Sequence, residues 1–171
     1  NTFDVEDLLR RELQHALWPA DIVQLATEYL NRYPVGSASG LAVALRERAS
    51  DTMRVLSRSD VRLYRNAFRP AADTSVQQDE LRRAALGDKD AAMRLAHQYG
   101  QYSQGDGPAL QDQSRYVGWL QYAAMLGNET ASYELARHYR RQSQPVLASQ
   151  YEARAVELGY TLPRDLDHSR K

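Results

Sequence analysis

The chain has no cysteine among its 171 residues, so disulfides, thiolate catalysis and cysteine-held zinc or iron–sulfur centres are excluded, while the redox compartment stays open. Long hydrophobic runs are also missing: the longest aliphatic stretch is Leu41 to Leu45, against the ~20 residues that a bilayer-spanning helix needs. There is no excess of either charge, since Lys+Arg and Asp+Glu stand at 22 each, and no overall field draws the protein to nucleic acid or to an anionic membrane. Lysine is confined to Lys89 and Lys171, so the basic residues are almost all arginine, as GC-rich bacterial genomes tend to encode. The chain opens on Asn1 instead of methionine, which leaves room for a removed export signal. A periplasmic location is favoured on that ground, with a cytoplasmic one as the alternative.

What the chain does have is 43% hydrophobic residues, enough for a core, placed almost entirely at helical spacing. Glycine and proline punctuate segments of about 12 to 18 residues whose apolar positions recur every three or four, and strand patterns are nearly absent. The pattern predicts an all-α chain of helical hairpins. Asp4 is expected to cap a first helix that buries Leu9, Leu13, Ala16 and Leu17, with Glu6 and Asp7 near its positive N-terminal end. Pro19 suits the first turn of a second helix with the stripe Ile22, Leu25, Ala26, Tyr29, Leu30 and Tyr33, closed by Pro34 and Gly36. Ser37 or Ser39 opens a third stretch, from about Gly40 to Phe68, that is one long helix or two; the cluster Ser57-Arg58-Ser59-Asp60 marks the place for a break. Residues 70–76 form the clearest linker, between an N-terminal helical region (1–69) and a second segment (77–160), and a charged tail (161–171) follows. Ser75 with Gln78 predicts a capping box at the start of the next helix.

The second segment repeats itself. Ala84, Leu86, Gly87, Ala91, Leu95, Ala96 and Tyr99 recur forty residues later as Ala124, Leu126, Gly127, Ala131, Leu135, Ala136 and Tyr139, and Trp119, Ala123 and Gly127 are answered after thirty-two residues by Tyr151, Ala155 and Gly159. Small alanines let two helices approach closely, and a glycine just past each helix takes the left-handed turn that caps its carbonyl end. The run Asp112, Arg115, Trp119, Ala123, Ala124, Gly127, Ala131, Leu135 and Tyr139, preceded by Gly105 and Gly107 in a loop, resembles the Sel-one-like repeat family, relatives of the tetratricopeptide repeat. Alanine stands at Ala96 and Ala136 where that family usually has glycine, and the loop after Tyr99 is longer than usual. Upstream, Leu25-Ala26, Tyr29-Leu30 and Tyr33-Pro34 resemble the end of a tetratricopeptide first helix more weakly. The resemblance implies an α-solenoid of stacked hairpins over about residues 80–160 and a non-catalytic scaffold that binds another protein, often in assembling bacterial envelope or signalling complexes.

No catalytic residue, metal site or cofactor is expected. His15, His97, His138 and His168 never fall at a metal-ligand spacing, and the glycine-rich segment from Gly100 to Pro108 lacks the lysine of a phosphate-binding loop and reads as an inter-helix loop. Tyr102 within it is a candidate exposed aromatic contact, whereas Trp119 and Tyr151, at equivalent positions, are expected to fill the space between hairpins. Two binding surfaces remain. One is a polar row off the Leu95/Tyr99 and Leu135/Tyr139 stripe, comprising Arg94, His97 and Gln101 on one helix and Arg137, His138 and Arg141 on its repeat, placed for a protein partner. The other is an arginine stripe, Arg54, Arg58, Arg62, Arg65 and Arg69, whose 4-4-3-4 spacing lies along one face of a continuous helix. That stripe would suit an acidic polysaccharide or, less readily, nucleic acid.

Overall fold

The computed structural model describes residues 2–70, 74–103 and 110–163 and, within these, all side chains but those of residues 2–4, 101–103 and 110–112. Among these residues the chain is all-helical, with no strand: α1 (Thr2–His15), α2 (Pro19–Arg32), α3 (Ser39–Leu56), a 3-10 turn (Arg65–Phe68), α4 (Ser75–Ala85), α5 (Lys89–Ser103), α6 (Leu110–Leu126), α7 (Glu129–Arg141) and α8 (Pro145–Glu157). No helix among them is long and apolar enough to cross a membrane. From α4 onward each helix packs on the next, as α1 does on α2 and α2 on α3, while α3 also reaches α6.

The apolar spacing decides which faces are buried. Ile22, Ala26 and Tyr29 of α2 and Ala42, Leu45 and Ala49 of α3 lie in the core, and Pro19 sits in the first turn of α2, where its missing N–H is no loss. Tyr29 is fully buried with its hydroxyl satisfied: it donates to Glu6 Oε2 at 2.8 Å and accepts from the Ala38 N–H at 3.0 Å. Since α1 is already helical at Thr2, Asp4 lies inside its first turn and is not the cap. At α4 the cap is Thr74 and not Ser75. Thr74 holds the extended conformation a cap requires, and its Oγ1 accepts from the Gln77 N–H at 3.2 Å.

The third stretch is broken. α3 stops at Leu56, where the Ser57 hydroxyl folds back onto the Arg54 carbonyl at 2.8 Å and Arg58 turns to bind both oxygens of Asp60 at 2.9 Å. The chain then leaves helical geometry until Arg65 and runs as a strap in which Val61 and Leu63 are buried while Arg62 and Tyr64 are exposed, the alternation of an extended segment. The strap lies directly on α6, and the 3-10 turn after it drives Phe68 into an aromatic cluster. Phe68 meets Trp18 at 5.3 Å, Trp119 at 5.0 Å and Tyr122 at 6.1 Å between ring centroids. One hydrophobic core therefore runs from Leu9 to Tyr151, on both sides of the 70–76 segment.

Positions related by the sequence repeat take the same environment. Ala91, Leu95 and Ala96, like Ala131, Leu135 and Ala136, are buried, Tyr99 and Tyr139 are half-buried, and Trp119 and Tyr151 both point into the core. Gly87, Gly127 and Gly159 have φ of 99°, 106° and 105°, each just past a helix. In each case the glycine N–H and the next N–H turn back onto the last helical turn: Gly127 to Ala124 at 3.0 Å and Asn128 to Ala123 at 2.9 Å, matched by Gly87 to Ala84 and Asp88 to Arg83, both at 3.0 Å. The end of α7 has the same bonds, Ser143 to Arg140 at 3.1 Å and Gln144 to Tyr139 at 2.9 Å, but there serine occupies the left-handed position at φ 59°. Two opposite outcomes follow. Gly127→Val is expected to cost more than ~1 kcal/mol, because nothing else crowds a Cβ there and the left-handed penalty alone remains. Ser143→Gly is expected to gain roughly 1 kcal/mol by removing that penalty. Urea denaturation of the two variants, with equal slopes, checks both signs.

Candidate functional site

The polar row is positioned by its helix caps. Asp88 Oδ1 accepts from the Asp90 and Ala91 N–H groups at 3.0 and 3.1 Å and so starts α5; Asn128 Oδ1 does the same for α7 through the Ala131 N–H at 2.8 Å. Asn128 Nδ2 then donates to Asp90 Oδ1 at 3.2 Å, which sets α7 beside α5. Farther along the two helices Glu134 bridges them, one oxygen 3.0 Å from His97 Nε2 and the other accepting from the Tyr116 hydroxyl at 3.0 Å. Burial, then the Glu134 charge, holds the Tyr116 phenol well above its ordinary range, so it stays a hydrogen-bond donor. Gly100 makes room for that tyrosine, since a Cβ there would meet its Cε1 at 2.8 Å, and α5 runs on to Ser103 where a loop was expected. Tyr102 is thereby part of α5, its side chain outside the described residues, as is that of Gln101, while 104–109 lie wholly outside them.

The row is not uniform. Arg94 is taken up by a two-pronged bond to Glu80 of α4 at 2.6 and 2.8 Å, and His97 by Glu134, whereas among the described residues Arg137 and Arg141 form no ion pair. His138 turns to a different opening. It is half-buried edge-on to Tyr139 at 5.5 Å, and burial, then Arg141, pulls its imidazole below the ordinary range, so it is neutral at pH 7.

The arginine stripe does not exist as one helical face, because α3 ends before Arg58. Its spacing imitates a helical period across a segment where serine and aspartate bond the backbone locally instead. Arg54 pairs with Asp51, Arg58 with Asp60, and Arg65 with Asp21 at 2.6 and 3.1 Å. Arg62 and Arg69 are left without an ion pair among the described residues.

What replaces the stripe is a polar cleft of about 600 Å³ between the strap, α6 and the α7–α8 turn. Its key residue is Gln121, only 6% exposed in the middle of α6: Oε1 accepts from the Arg62 N–H at 2.8 Å and Nε2 donates to the Tyr139 hydroxyl at 2.9 Å. One amide thus fixes the strap on one side and α7 on the other. The strap sits so close at Gly118 that a Cβ there would stand 2.5 Å from the Arg62 carbonyl oxygen. Around this frame Ser59, Gln113, Ser114, Gln142, Gln144 and His138 line the opening. A second cleft of about 440 Å³ adjoins it, sharing Arg62 and Ser114 and adding Tyr64, Asn66 and Arg115. No family model, curated protein or solved structure matches the chain. Gly118 and Gln121 lie outside both surfaces expected from the sequence, though both carry a signal: a glycine and a buried amide inside an otherwise apolar helix each call for a packing or bonding reason. The arrangement is suited to recognition: exposed guanidinium groups, side-chain amides and hydroxyls on a rigid helical frame.

Proposed function

We propose that this protein is a non-catalytic scaffold that binds another protein, its α4–α8 helices forming a Sel-one-like α-solenoid of stacked hairpins. The observation that carries this reading is the way successive hairpins satisfy one another. Tyr122 and Arg154 occupy equivalent repeat positions and both reach back to equivalent carbonyls, Tyr122 to Ala84 at 2.6 Å and Arg154 to Ala124 at 3.0 Å. Phenol and guanidinium differ, yet each supplies a donor to the end of the preceding helix pair. Such nearest-neighbour stacking builds a continuous surface from side chains that need no special chemistry. Arg137 and Arg141, exposed and without ion pairs among the described residues, give the α5–α7 row its strongest contacts for a partner, in the way that arginine serves at protein interfaces. An assembly factor for a bacterial envelope or signalling complex is the concrete form this takes.

Arg137→Ala with Arg141→Ala is expected to leave helix content and melting unchanged while weakening capture of the native partner at least ~10-fold. Affinity capture from the source organism, quantified by mass spectrometry against an unrelated helical bait, measures this. A wild-type bait that enriches no protein over that control ends the scaffold reading; unchanged capture by the double variant moves the site off this row.

A further inference from the structure

We infer that the outer face of α7 docks a helix of the partner, laid parallel to α7, whose carboxylates one turn apart meet Arg137 and Arg141. This rests on the scaffold reading and names the partner's chemistry. The chain itself supplies the precedent. Asp90, Met93 and His97 lie at i, i+3 and i+7 on one face of α5, and α7 engages that face. Asn128 Nδ2 donates to Asp90 at 3.2 Å, Met93 is buried, and Glu134 stands 3.0 Å from His97 Nε2. The start of one helix meets the start of the other and later residues meet later ones, so the two run parallel. Forty residues on, the same face of α7 reads Thr130, Tyr133 and Arg137, and Arg141 continues it by one turn. None of these four is buried, and where α5 presents one imidazole to the Glu134 carboxylate, α7 presents two exposed guanidinium groups.

A second observation concerns the turn that follows α8. Gly159 has φ 105° and the Tyr160 N–H bonds the Ala155 carbonyl at 2.9 Å, as the Asn128 N–H bonds Ala123. Yet a tyrosine stands where Asp88 and Asn128 supply the oxygen that starts α5 and α7, and residues 161–163 are not helical. The Tyr160 ring lies instead on Tyr133, with centroids 4.4 Å apart and planes 17° from parallel. The face of α7 thus offers a stacked pair of rings and, beyond it, two arginines one turn apart. An amphipathic helix matches that order, with an apolar side chain against the rings and carboxylates on guanidinium forks that bind them bidentately.

The probe is a hydrocarbon-stapled, alanine-based helical peptide with one leucine and two glutamates a turn apart, compared with its lysine counterpart and with a proline-broken peptide of equal charge. Titration followed by the protein's backbone amide signals registers affinities as weak as millimolar. The stapled acidic peptide is expected to shift Tyr133, Arg137 and Arg141 and to bind at least ~10-fold more tightly than either comparison peptide. Arg137→Ala with Arg141→Ala removes that difference, and Arg62→Ala leaves it. Equal affinity for the proline-broken peptide overturns the inference in favour of recognition by charge alone, and shifts confined to another surface, or no binding at millimolar peptide, overturn it outright. A ~10-fold gain in Asp165→Asn with Asp167→Asn would assign the face to the chain's own C-terminal carboxylates. A concentration-dependent dimer that the double arginine variant abolishes would assign it to a second copy; either result overturns a partner helix. If the wild-type bait still captures a native partner in any of these cases, the scaffold reading stands and only the helix-docking face falls.

Discussion

Replacing Gly118 by valine is expected to lower stability by about 3 kcal/mol and the melting temperature by roughly 6 to 12 °C, a large effect for a residue with no side chain. The added Cβ would stand 2.5 Å from the Arg62 carbonyl oxygen and 3.2 Å from Leu63 Cδ1, and the nearer atom is main chain, which has no rotamer with which to yield. The strap must lift. Lifting it breaks the 2.8 Å bond from the Arg62 N–H to Gln121, leaves a buried amide half satisfied, and returns Val61 and Leu63 to water. Gly40→Ala is the control: nothing lies within 4 Å of its Cβ, so the helix should gain up to about 1 kcal/mol. Scanning calorimetry of both variants separates the effects, and a Gly118→Val protein that melts with the wild type would mean that the strap is not seated on α6.

Trp119→Ala is expected to cost about 4 kcal/mol, the scale for emptying a large aromatic site. Its indole is wholly buried and ties the 3-10 turn to α6 through Phe68 at 5.0 Å and Tyr122 at 5.9 Å, with Trp18 behind Phe68. Trp119→Phe should cost far less, on the order of 1 kcal/mol, for a reason beyond retained volume. The indole N–H is buried without an acceptor among the described residues, so phenylalanine removes an unsatisfied donor while keeping a ring. Urea unfolding followed by far-UV circular dichroism gives both values. Similar losses in the two variants would show that the indole nitrogen carries a bond.

The parts of this fold that were readable in the sequence are those that only one residue type can serve. Gly87, Gly127 and Gly159 marked helix ends because a left-handed turn excludes most side chains, and each proved to have a positive φ. Trp119 was expected in the core from its repeat position and is there. Ser143 takes the same conformation unannounced, since serine has too many other uses to mark it. The arginine spacing from Arg54 to Arg69 suggested a helix face, but local bonding by Ser57 and Asp60 outweighs period, and the segment that followed became the strap. Propensity alone places Gly100 in a loop, and contact with the Tyr116 ring overrides it. The polar row was half legible. Side-chain type located Arg94, His97, Arg137 and Arg141 on their helices, but not that Glu80 and Glu134 occupy the first two, nor that His138 looks into another cleft. Such pairings depend on residues brought together by the fold, and no local pattern encodes them.

The Leu-Gly-Asp and Leu-Gly-Asn turns have a consequence for how this chain can change length. Asp88 and Asn128 each donate a backbone N–H to the helix they leave and accept with a side-chain oxygen from the helix they enter. A single residue therefore terminates one rod and starts the next, and the joint contains no slack. One inserted residue would separate the two duties, costing a helix end and a helix start together, so insertions and deletions are excluded from these joints. Tolerance for changes in length must lie elsewhere along the chain.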